Sequence, residues 1–189
     1  QYTESDINNI ITAINKVGIS GLDSITYSQE TGLVINYTQE GLDIIKAETD
    51  VYQDSSLEAL ETIMQDEKFL EDLKKLGIEI DVNNIDKAMD YIKQVMANGG
   101  SLFNCAYFAL ADMLKYDSWA MDAYLQALAI DILTGNFAKN NDFSNVDSQH
   151  FGISMYAIKA SMKMYNLDYS GYEVTADDII KVLETKELC

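Results

Sequence analysis

The residues of this chain best placed to do chemistry together lie near its end. Asn166-Leu167-Asp168-Tyr169-Ser170-Gly171-Tyr172 puts side-chain oxygens at loop positions 1, 3 and 5 and a glycine at position 6, with Asp177 at position 12. Alternating oxygen ligands before a glycine bend, closed by a distal acid, suit a hard cation such as calcium. The candidate metal ligands are therefore Asn166, Asp168, Ser170 and Asp177, with Asp178 closing the set if the loop is one residue longer. The same residues have a plainer use. Thr175-Ala176-Asp177-Asp178 has the spacing of a helix capping box, and Asp168-Tyr169-Ser170-Gly171 reads as an ordinary turn.

Little else offers a reaction. His150 is the only histidine, so a two-imidazole metal site has no second member, and its neighbours Asp147 and Ser148 read as a helix cap. Cys105 and Cys189 stand 84 positions apart, too far for a zinc or redox pair, and are expected to be free thiols. Thirty-one acidic residues make carboxylate pairs so numerous that none stands out. No glycine-rich phosphate loop or nucleophile elbow occurs. The expectation is a protein without catalytic residues, with calcium the one cofactor suggested. Residues 166–177 resemble the EF-hand calcium loop over about a dozen positions. That resemblance implies calcium ligation by Asn166, Asp168, Ser170 and Asp177. The pattern is departed from at Asn166 in the first position, Glu173 in the eighth and Asp177, one carbon short of glutamate, in the twelfth.

Charge excludes more than motifs propose. The 189 residues carry a formal net charge of −18, and every one of the thirteen basic residues is lysine. Without arginine there are no bidentate phosphate clamps, arginine fingers or arginine contacts to guanine. Lysines so dispersed, with Lys74 and Lys75 the one adjacent pair, leave no cationic footprint for nucleic acid or anionic lipid. Neither is expected as a partner. The longest apolar stretches, Ser101–Leu114 and Ala123–Leu133, are shorter than the roughly 20 residues of a membrane span and contain Asp112 and Asp131. No membrane insertion is expected. A chain beginning at Gln1 fits either a cleaved leader or an internal start, so a cytoplasmic and a secreted or periplasmic location are both consistent with it.

The elements that would position these residues follow from periodicity. Ile7, Ile10, Ile11, Ile14 and Val17 mark an opening helix, with Thr3 or Ser5 to cap it and Gly18 to stop it. Ser24–Ser28 and Leu33–Tyr37, joined across Gly32, read as a β-hairpin. Helical patterns follow at Leu57–Met64, after a Ser55-Ser56-Leu57-Glu58 capping box, and at Phe69–Leu73. Ile78–Asp81 reads as a short strand or a connector. Further stripes run through Ile85–Met96, Phe103–Leu114 and Trp119–Ile130, then Ile153, Tyr156, Ala157, Ala160 and Met164, then Ile179–Leu183. Proline, which interrupts helices, is absent. The expected fold is mainly α (α+β): a compact multi-helix domain of about seven to nine helices with a small N-terminal β-hairpin. A single domain over residues 1–189 is expected, with a helix and hairpin subregion at 1–48 and a helical core at 50–189. The aromatics Tyr107, Tyr116, Trp119 and Tyr124 would fill that core or line a pocket.

Acids outnumber lysines most in the first half, net −12 over residues 1–98 and −6 over 99–189. A field of this sign hastens association with cationic partners and discourages anionic ones. The functional expectation is a non-enzymatic, soluble interaction protein of immunity, inhibitor or adaptor type that binds a basic protein partner. Two alternatives stand beside it: a small-molecule or calcium-binding helical module, and a subunit of a larger assembly in which Leu33–Tyr37 adds to a neighbour's sheet.

Overall fold

The opening helix, α1 (Glu4–Val17), begins where the sequence places its start signal. The Asp6 N–H donates to the Thr3 hydroxyl at 3.2 Å and the Thr3 N–H donates back to the Asp6 carboxylate at 2.8 Å, a complete capping box. Gly18, at a φ of 71° that side chains resist, ends the helix with its N–H on the Ile14 carbonyl. In this computed structural model the described residues are 2–30, 32–43, 53–103, 105–113, 119–146, 151–167 and 174–185. They form two compact units, residues 1–48 with 170–189 and residues 49–169.

In the first unit α1 leads into β1 (Leu22–Ser28) and β2 (Gly32–Tyr37), an antiparallel pair in the register Tyr27↔Leu33, Ile25↔Ile35 and Ser24↔Asn36. A shift between Leu22 and Ser24 leaves Asp23 as an extra, bulged residue on β1. After β2 the chain turns helical over 39–43, and there its backbone touches that of Gly21: a Cβ on Gly41 would lie 2.1 Å from the Gly21 carbonyl oxygen. The last helix, α9 (Ala176–Thr185), packs on α1 and shows the capping box read from its sequence, with Thr175 and Asp178 exchanging bonds of 3.0 and 3.2 Å. The Tyr2 hydroxyl donates to the Val174 carbonyl.

The second unit is helical throughout: α2 (Gln53–Gln65), α3 (Glu67–Lys75), a 3-10 turn (Val82–Asn84), α4 (Ile85–Ala97), α5 (Cys105–Met113), α6 (Trp119–Leu133), α7 (Asn136–Asn140) and α8 (Met155–Met164). Its axis is α6, which packs against α2, α4, α5, α7 and α8. Eleven of its fifteen residues are buried, on every side of the helix. Tyr124 buries its ring against Phe103 and Tyr107 and donates its hydroxyl to the Leu102 carbonyl at 2.6 Å. The fold is mainly α with one small N-terminal hairpin, as expected, and ten helices are present among the described residues, one of them the 3-10 turn.

Three local expectations are corrected, and one left between two readings is decided. Helix α2 already runs at Gln53, so Ser55 and Ser56 lie inside its first turn instead of capping it. Of the two readings of Ile78–Asp81 the structure has the connector, held by the Asp81 N–H on the Leu133 carbonyl. The helix expected to start near Asp147 or Ser148, which lie outside the described residues, starts at Met155 with Ser154 as its cap. Its buried face is Ala157, Ile158, Ala160, Ser161 and Met162, while Tyr156 points to solvent. The start at Ser154 is anchored by the Asp131 carboxylate of α6, which accepts from the Ser154 hydroxyl and N–H.

Candidate interaction surface

The two edges of the hairpin differ. On β1, the Asn15 side chain of α1 donates to the Ile25 carbonyl at 3.1 Å and accepts from the Ile25 N–H at 3.3 Å. The amide thus stands in for one peptide of a third strand. Together with the Asp23 bulge it closes that edge to further pairing. It also fixes the hydrogen-bond phase of the ladder. Because the Ile25 groups point at α1, Ile25 and Ile35 are a non-hydrogen-bonded pair, and in an antiparallel ladder such pairs alternate with bonded ones. Leu33 and Ile35 therefore send their N–H and C=O groups outward from β2.

The same strand exposes its side chains. Leu33 is 56% exposed, Tyr37 42%, Ile35 40% and Val34 38%. Leu33 and Ile35 share a face with Tyr27 and Ile25, and on the opposite face the Asn36 amide bonds the Ser24 hydroxyl. The apolar residues buried in this unit are Ile11, Ala13, Ala176 and Leu183, among those described. A core that small leaves both strands without a fully buried residue. Strand β2 has no charged residue, no proline and no bulge, the usual protections of an edge.

The charges around it have one sign. Residues 17–45 contain Asp23, Glu30, Glu40 and Asp43 and no lysine, and all four acids are exposed. The unit as a whole has twelve acids against four lysines, net −8 over 68 residues; the helical unit is net −10 over 121. Lys16 of this unit lies 3.6 Å from Glu184 in an exposed pair of small energetic weight.

The second unit holds a buried acid that sequence periodicity passes over. Asp131 of α6 is fully buried; it accepts the Ser154 hydroxyl and, at 3.2 Å, the Ser154 N–H. The same hydroxyl accepts from the Ala157 N–H at 3.2 Å, so Asp131 anchors the cap of α8. Burial raises the Asp131 carboxyl above its ordinary value against the opposing pull of the Ser154 hydroxyl and N–H. Among the described residues neither a cation nor a second carboxylate is bonded to it, and its bonds to Ser154 pin α8 to α6. The one signal in the sequence is an acid within an otherwise apolar run.

The residues singled out as calcium ligands are distributed as follows. Asn166 closes the turn after α8 at a φ of 54°. Asp168 and Ser170 lie outside the described residues. Asp177 is exposed in the first turn of α9, and Asp178 is engaged in the Thr175 capping box, where the Thr175 hydroxyl and then its N–H lower the carboxyl from its ordinary value. Among the described residues no group of three His, Cys, Asp or Glu side chains is arranged to hold a metal. His150 and Cys189 lie outside those residues. Trp119 packs against Tyr165 with the rings tilted and their centroids 5.5 Å apart. Among the described residues no helix is long and apolar enough to cross a membrane. Comparison with known protein families, curated proteins and solved structures finds no match for this chain.

Proposed function

We propose that this chain is a non-enzymatic interaction protein whose acidic N-terminal unit engages a basic protein partner, in the manner of an immunity protein, inhibitor or adaptor. The observation that carries the reading is an exposed apolar strand, Leu33–Tyr37, set in a 29-residue stretch with four exposed acids and no lysine. Apolar area supplies the driving force of association, and the surrounding charge selects which partners arrive. Affinity capture at low salt, with elution by rising salt and identification of the eluted chains, tests it. Basic chains should dominate the eluate, and the association rate of the purified partner should fall as salt rises. A retained set without charge bias, or binding indifferent to salt, overturns the reading.

A further inference from the structure

We infer that β2 binds by strand addition: an extended segment of another protein, apolar at alternate positions and carrying lysine or arginine at its ends, pairs with the outward backbone of Leu33 and Ile35. This rests on the basic-partner reading and specifies its contact. Three observations meet at one edge. The Asn15 bonds to Ile25 set the ladder phase, so Leu33 and Ile35 each present a donor and an acceptor away from β1. An added strand would satisfy both and lay every second side chain beside the exposed Leu33 and Ile35 face. Acids then flank the strand in sequence, Glu30 before it and Glu40 and Asp43 after it. Charge also decides the occupant. A second copy of this chain would bring another −18 to the contact, and its own lysine-free hairpin would face like charge. A segment with cationic ends meets opposite charge.

The probe is a fluorescein-labelled peptide, Lys-Lys-Val-Thr-Val-Thr-Val-Lys-Lys, read by anisotropy against the full chain, with a Glu-ended counterpart of the same core. The Lys-ended peptide should bind in a salt-dependent manner and at least about tenfold more tightly than the Glu-ended one, the worth of about 1.4 kcal/mol. Ile35→Pro removes an outward N–H while leaving the bonds to β1, and should weaken binding by at least about tenfold. A test that needs no protein variant uses N-methylation of the peptide. Blocking its valine amides and blocking its threonine amides must give opposite results, because an edge uses the N–H groups of alternate residues only. Equal binding of the two methylated peptides, or full binding by a folded Ile35→Pro chain, overturns strand addition while the basic-partner reading stands. Equal binding of the Lys-ended and Glu-ended peptides overturns both. Self-association of the chain that Ile35→Pro abolishes overturns the choice of occupant.

Discussion

Asp131 and Ser154 carry the sharpest prediction that single residues allow. Replacing Ser154 with alanine removes the α8 cap and a donor to a buried carboxylate at once, and should cost about 2–4 kcal/mol in urea unfolding. Asp131→Asn separates charge from shape. Because burial raises the native Asp131 value above that of the unfolded chain, the native state holds the proton more tightly, and this contribution is full below the unfolded value of about 4 and lost as pH rises through the native one. The asparagine variant, with one acceptor for two donors, should be less stable than the parent at low pH and should close that gap as pH rises. An unfolding series over pH checks it; a constant gap would mean that Asp131 titrates alike folded and unfolded. In the sequence Asp131 stands out only as an acid in an apolar run, and Ser154 does not stand out at all. Ser154 is one of three serines between residues 141 and 154, with Ser144 and Ser148, and the position of a carboxylate on α6, 23 residues earlier, selects it.

Elements were legible where their start and stop signals are local. Thr3 with Asp6, Gly18, and Thr175 with Asp178 act within four residues of their own helix ends, and the structure has all of them. Thr3→Ala and Thr175→Ala should each cost about 1 kcal/mol, with helix signal lost from unit one alone in residue-resolved hydrogen exchange. The hairpin was legible from its alternating β-formers, but the close approach that ends it was not. Gly41→Ala would press a methyl group to 2.1 Å from backbone, which cannot swing aside, and should cost about 1–3 kcal/mol or more. Gly152→Ala, with open space around the position, should stay within about 0.5 kcal/mol and serves as its control. Helix α6 shows why stripes mislead: an apolar face is visible in its sequence, yet burial on every side follows from neighbours that the sequence does not locate.

For the whole molecule, excess charge and the pairing of distant segments set the expectations. A chain at −18 repels itself, so its melting temperature should rise with added salt, by about 2–4 °C for each kcal/mol of repulsion screened, and a flat response would mean that the acids are already neutralised by their neighbours. Helices α1 and α9 pack together from opposite ends of the chain. Ending the chain after residue 173 should therefore strip exchange protection from residues 4–17 while that of α6 persists. Composition and periodicity by themselves determined the helical class, the sign of the surface field and the exclusion of arginine chemistry, because these are sums over residues or repeats along one element. Tertiary structure decided that α9 joins α1, that Asp131 anchors the cap of a helix it does not belong to, and that β1 is closed by Asn15 while β2 stays open. Those are contacts between segments far apart in sequence, and periodicity within one element holds no information about which other element it will meet.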